Sequence, residues 1–106
     1  MHRHFEEQIA ECRAQLVNMG SVVELMIDKA IKSLVDRKAD SHAEITLHES
    51  EVNDLQIEID EGVINILALQ HPVAADLRLV IMCSKIAGEL ERVGDQAINI
   101  CQNTAV

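Results

Sequence analysis

Phe5, Ile9, Cys12, Leu16, Met19, Val23, Met26, Ala30 and Leu34 recur at alternating spacings of three and four. That period keeps apolar side chains on one face of a helix and predicts a long amphipathic helix from about residue 4 to 37. The polar run Arg37-Lys38-Ala39-Asp40-Ser41 interrupts the pattern. Ser41, with Glu44 three positions later, predicts a capping box opening a second helix. The inward row of that helix is Ile45, His48, Val52, Leu55, Ile59, Gly62, Ile66 and Leu69. Gln70-His71-Pro72 closes it, because proline disfavours the helical conformation of the preceding residue and suits the first turn of the next helix. A third helix is expected over about 73 to 103. Its predicted apolar face is Leu79, Met82, Cys83, Ile86, Leu90, Val93, Ala97 and Ile100, with Arg78, Lys85, Glu89, Arg92, Gln96 and Asn103 as the solvated stripe. Three long helices joined by short loops run up, down and up, so the expected fold is an all-α three-helix bundle forming one domain over 1–106.

Composition agrees with helices. Among 106 residues tryptophan and tyrosine are absent and Phe5 is the one aromatic, which disfavours base-stacking modules and aromatic-rich β folds. A formal charge of −9 repels nucleic acid, anionic lipid and free phosphate, so an anionic ligand would require a metal cation between itself and the chain. Cys12, Cys83 and Cys101 are odd in number, form no CxxC pair and lie among apolar residues, which predicts reduced core thiols and a cytoplasmic setting. The start of the chain has no apolar run suited to a signal peptide, and no later run approaches the roughly 18 residues of a membrane span.

Gly20, Gly62, Gly88 and Gly94 all fall within predicted helices, where each costs about 1 kcal/mol relative to alanine. Close helix approach is the expected compensation at Gly20 and Gly62. Gly94 lies between Glu91 and Asp95, where its missing side chain leaves room for an ion or a neighbouring helix.

The candidate chemistry is carboxylate chemistry. Glu91 and Asp95, four residues apart on a helix, project from one face with β-carbons roughly 6 Å apart, within reach of a shared cation. They avoid the solvated stripe and share a sector with Leu77, Ile81, Ser84 and Gly88. The second helix carries Glu44, Glu49, Glu51, Asp54, Glu58, Asp60 and Glu61, with no Lys or Arg between Lys38 and Arg78. Of these, Glu51, Asp54, Glu58 and Glu61 lie opposite the apolar row and are expected in water. Glu49, Asn53, Gln56 and Asp60 instead border the apolar stripe, where they can face an adjacent helix. Crowded carboxylates are costly without a neutralising cation, and oxygen-only donors favour Mg, Ca or Mn, with Fe next and Zn less expected.

The histidines add little. His2 and His4 are terminal, His48 is expected to be a satisfied buried or half-buried side chain, and His71 precedes Pro72 at a turn. No Glu-x-x-His pair of the di-iron bundles is present, and no nucleophile elbow, phosphate loop or zinc-protease motif. The chain is not expected to be an enzyme.

Met19-Gly20 with Val23-Glu24, Glu49 with Val52-Asn53 and Ile59-Asp60, Pro72-Val73-Ala74-Ala75-Asp76-Leu77-Arg78, and Leu90-Glu91-Arg92-Val93-Gly94-Asp95 together resemble the PhoU family of phosphate-signalling proteins. The resemblance spans nearly the whole chain. It implies a PhoU-like, spectrin-repeat-like bundle in which Glu91-x-x-x-Asp95 corresponds to the family's acidic metal-binding motif. Carried over by position, Glu91 and Asp95 become the leading metal ligands, with Glu49, Asn53 and Asp60 as further candidates from the second helix. Asp76 and Arg78 match the family pattern several turns from Asp95 and are assigned to structure or partner contact. The implied function is that of a cytoplasmic negative regulator of phosphate uptake and starvation signalling. Such a protein is an adaptor between a phosphate ABC transporter and a histidine sensor kinase, and reaches the membrane only through its partners.

Members of the family typically contain two tandem three-helix repeats, and this chain supplies one. Two explanations stay open: the first half of a longer protein, or a single repeat that pairs with itself. An apolar sector of the third helix including Val80, Ile81 and Ile98 is expected to be exposed and to need a covering bundle, so a homodimer is predicted. Two competing functions remain. One is a plain helical association module whose acids are all solvated; the other is a di-metal carboxylate enzyme, already disfavoured by the missing Glu-x-x-His pairs.

Overall fold

The computed structural model describes residues 2–36 and 42–104. Three helices account for nearly all of them: α1 (His2–Asp36), α2 (His42–Gln70) and α3 (Ala74–Thr104). At about 1.5 Å per residue a helix the length of α1 reaches roughly 50 Å, and the molecule is a rod of 53 × 18 × 16 Å. Each helix packs along both others, so the core is a single column at the centre of an up-down-up bundle. The predicted fold class is the observed one. The expected Ser41 capping box lies outside the described residues.

α1 buries Ile9, Cys12, Met19, Val22, Val23, Met26 and Ala30. Phe5 and Leu16 pack against this row from its edge, while Leu34 is 57% exposed and its neighbour Ser33 takes the inward place, 1% exposed beside Cys101. α2 contributes Ile45, Val52, Ile59, Val63 and Ile66. His48 is half-buried and pairs with Glu51 at 3.2 Å, whereas Leu69, predicted inside, points outward at the end of the helix.

α3 departs most from expectation. Its buried row is Val80, Cys83, Ala87, Ala97, Ile98 and Cys101, together with Gly94. Val80 and Ile98, predicted to be exposed, are in the core. Leu79, Met82, Ile86, Val93 and Ile100, predicted to be core, are 41–50% exposed. Gly94 packs on α1, where a Cβ would meet Met26 at 3.5 Å and Val23 at 3.9 Å, ordinary contact distances. The inward row mixes the small Ala87, Gly94, Ala97 and the cysteines with Val80 and Ile98, while Leu79, Met82, Ile86, Val93 and Ile100 lie at the outer edge.

Gly62 likewise marks close approach, since a Cβ there would lie 3.3 Å from Cys12 Sγ. Gly20, expected to do the same, faces open space with nothing within 4 Å, so close packing does not account for it. Gly94 faces Met26 and Val23 of α1, the neighbouring-helix alternative of the two expected for it.

Pro72 sits in the short connection before α3 and not in its first turn. The chain turns there through two residues with positive φ, His71 at 46° and Ala74 at 55°, and the Asp76 N–H closes the turn on Val73 O at 3.2 Å. At the other end of the bundle Lys29 of α1 pairs with Glu44 in the first turn of α2, which holds the Glu44 carboxyl below its ordinary range through that hydrogen bond.

Candidate functional site

Across the α2/α3 seam Ser84 Oγ donates to Asp60 Oδ1 at 3.2 Å between two half-buried residues. Antiparallel helices rise equally per residue, so this register puts Gly88 level with Gln56, Glu91 with Asn53, and Asp95 with Glu49. The border row of α2 and the acidic motif of α3 therefore run along the same seam. Glu49, Gln56, Asp60 and Glu91 are half-buried along it, while Asn53 and Asp95 are exposed. Glu51, Asp54, Glu58 and Glu61 face water as predicted.

The oxygen donors suit a hard cation in kind, being carboxylates with an amide beside them. Their arrangement is a row and not a cage: among the described residues no group of three or more His, Cys, Asp or Glu side chains is placed to hold an ion. A row of this type fits an ion that keeps part of its water shell and takes one or two carboxylates from the protein, as Mg commonly does. Glu91 and Asp95 of α3, with Asn53 and Glu49 level with them on α2, would be the residues to hold such a cation; Asp60, at the level of Ser84, lies seven residues or roughly 10 Å along the seam from Glu91.

Asp76 and Arg78 stand apart from this seam. Both are exposed, and Asp76 lies 19 residues before Asp95, roughly 28 Å along the helix. Asp76 lines a groove on the α1/α3 side with Phe5, Ile9, Arg13 and Leu79.

One feature escapes the sequence pattern, a polar groove, while the cysteines are the buried free thiols that the sequence predicts. A polar groove between α1 and α2 is lined by Gln8, Glu11, Gln15, Glu58, Glu61 and Asn65, with Gln15 donating to Glu58 at 3.4 Å and Gln8 Oε1 buried without a hydrogen-bond partner. The three cysteines are free and buried. Burial foremost, then the neighbouring Cys83 and Glu11, pushes the Cys12 thiol upward; burial does the same to Cys83 against the lowering influence of Arg13. Both are therefore neutral, unreactive thiols at pH 7.

Residues 16–104 match the model of the PhoU domain. The chain belongs to the PhoU domain family. It is 36% identical over 98 residues to the phosphate-specific transport system accessory protein PhoU of Escherichia coli (strain K12), covering 92% of this chain and 41% of that protein. The protein of the same name from Edwardsiella tarda is 37% identical over 98 residues, 92% of this chain and 40% of its own length. The PhoU homolog of Pseudomonas aeruginosa is 32% identical over 100 residues, 94% of this chain and 41% of its own. This PhoU-family chain therefore spans about two fifths of the length of the curated relatives it matches. They are named as transport accessory proteins and not as enzymes, in agreement with the missing catalytic motifs. No described helix is long and apolar enough to cross a membrane.

Proposed function

We propose that this chain is a metal-binding adaptor in phosphate regulation, a cytoplasmic negative regulator of uptake and starvation signalling that acts by touching a phosphate ABC transporter and a histidine sensor kinase. The family match and the names of the relatives support the phosphate link. The alignment of Glu91 and Asp95 with Asn53 and Glu49 along the α2/α3 seam carries the metal part. In this reading Glu91 and Asp95 are the principal ligands, assisted by Glu49 and Asn53, with Asp60 farther along the seam.

Function follows from charge. A chain of formal charge −9 repels acidic partners and lipid headgroups. A Mg, Mn, Ca or Fe ion on the seam supplies positive charge there, neutralises the row and offers open coordination positions to an anionic group of a partner. The chain's own residues orient the ion: Ser84 holds Asp60, and α2/α3 packing keeps Glu91 half-buried. Asp76 and Arg78, exposed at the opposite end of α3, are proposed as contacts to a protein partner.

The exposed aliphatics of α1 and α3 support the homodimer. Elemental analysis of protein purified without chelator tests the metal: bound divalent metal that disappears in Glu91→Ala/Asp95→Ala supports it. Metal-free protein that takes up none on dialysis leaves a helical association module with solvated acids.

A further inference from the structure

The groove between α1 and α2 has Gln8, Glu11 and Gln15 on one wall and Glu58, Glu61 and Asn65 on the other, and holds about 400 Å³. Gln15 donates to Glu58 at 3.4 Å and Lys29 pairs with Glu44, and both pairs set the helices in one antiparallel register. That register puts Cys12 level with Glu61 and Gln8 level with Asn65. Gly62 opens the floor, since a Cβ there would lie 3.3 Å from Cys12 Sγ. At one end Gln8 Oε1 is the one buried side-chain oxygen or nitrogen among the described residues that has no hydrogen-bond partner. An acceptor in that condition calls for a donor.

Every charged residue on both walls is acidic. Glu11, Glu58 and Glu61 are exposed, and Asp54, also exposed, extends the row one turn before Glu58. α2 has no Lys or Arg; its histidines, His42 and His48, lie ten or more residues before Glu58, and His48 pairs with Glu51. On α1 the one Lys or Arg between Arg3 and Lys29 is Arg13, which lines the α1/α3 groove beside Asp76. Arg3 precedes Gln8 by five residues, with His4 and Glu7 between them, and Lys29 follows Gln15 by fourteen. Next to Glu61, α2 carries Ile57 and Ile64, one heptad apart on a single outward stripe and 56 and 63% exposed. The face is thus an acidic groove with an apolar shoulder.

The geometry points to a docking site for a basic amphipathic helix of a protein partner, whose Arg or Lys side chains enter the groove while its aliphatic flank rests on Ile57 and Ile64. This rests on the adaptor reading above and supplies the chemistry of one of its contacts. Three carboxylates and three side-chain amides face each other over roughly 10 Å of helix, a spread of oxygens that the several N–H donors of a guanidinium match. A bare metal ion does not fit, because among the described residues no three acidic, His or Cys side chains are placed to hold one. A free polyamine would satisfy the acids and leave the isoleucines in water, whereas an amphipathic helix covers both. The site is separate from the α2/α3 seam: Asp60, between Glu58 and Glu61 in sequence, turns the other way and accepts from Ser84 of α3.

Fluorescence anisotropy of the full chain at physiological ionic strength tests it, with a labelled peptide that carries arginines on one flank of its helix and leucines on the other. Wild type binds this peptide and does not bind its counterpart with glutamine in place of arginine. Glu58→Gln/Glu61→Gln stays helical by circular dichroism and binds about tenfold more weakly, and Ile57→Ala/Ile64→Ala loses about as much. Glu24→Gln/Asp28→Asn makes the same change of charge on the opposite side of α1 and alters binding less than about twofold. Amide NMR shifts on titration centre on Gly62. A wild type that binds neither peptide overturns the inference. So does a loss that Glu24→Gln/Asp28→Asn shares, which is attraction by net charge alone, and so do shifts centred on the α2/α3 seam or spermidine binding as tightly as the peptide. The adaptor reading fails on a different result, metal-free protein in the elemental analysis, so the two failures are told apart.

Discussion

Ser84 and Asp60 are joined by a hydrogen bond of 3.2 Å that sets the register of α2 against α3. Because α2 runs down as α3 runs up, the same contact aligns the two oxygen-bearing rows over about three further turns, to Glu49 and Asp95. Ser84→Ala removes the donor and leaves Asp60 half-buried with one partner fewer. The expected loss is about 1 kcal/mol, read by urea unfolding. Metal affinity, measured in parallel, falls less than in Glu91→Ala, because Ser84 positions the row without joining it.

Ala74 opens α3 with φ at 55°, a conformation that costs an L side chain about 1 kcal/mol or more and costs glycine nothing comparable. Ala74→Gly is therefore expected to raise the melting temperature by about 4–8 °C, the shift that 1 kcal/mol brings in a domain of this size. An unchanged or lowered value would mean that the turn does not hold Ala74 in that conformation.

Gly20 and Gly88 face open space, so a methyl group at either meets nothing. Gly20→Ala and Gly88→Ala should each stabilise by about 1 kcal/mol through helix propensity. Gly62→Ala must move the buried Cys12 Sγ from 3.3 Å and should gain less or lose. Thermal unfolding of the three variants side by side separates them.

Burial raises the thiols of Cys12 and Cys83 above the ordinary value of 9.0. In the unfolded chain they ionise as pH passes that value, while in the folded protein they keep their protons. The unfolded state then binds fewer protons, and stability falls as pH rises through about 9. Cys12→Ala/Cys83→Ala should be less stable at pH 7, from the cavities left, yet show a flatter alkaline limb in denaturant titrations from pH 7 to 10.5.

The fold was legible because the spacing of three and four in α1 is unbroken from Phe5 to Ala30, and because Pro72 forces a break between α2 and α3. The face of α3 was not. That helix carries two apolar stripes: one of Val80, Cys83, Ala87, Gly94, Ala97, Ile98 and Cys101, the other of Leu79, Ile86, Val93 and Ile100. Both have helical spacing, so periodicity alone does not choose between them, and the structure buries the first. The acidic seam was half legible. Periodicity put Glu49, Asn53 and Asp60 on one border and Glu91 and Asp95 on another, yet no pattern within one helix gives the register between two, which rests on Ser84. Pro72 marked the turn, but the positive φ of His71 and Ala74 left no mark, since neither residue is a glycine.

The central claim is that the α2/α3 seam holds a cation. Anomalous diffraction at metal absorption edges, from crystals grown with the protein's own metal or soaked in Mn, tests it most directly by giving element and position together. Expected is a peak within coordination distance of Glu91 and Asp95, with donors from Glu49 or Asn53 across the seam, absent in Glu91→Ala/Asp95→Ala. Side chains splayed into water with no peak between α2 and α3, or a peak at another face of the bundle, would contradict it.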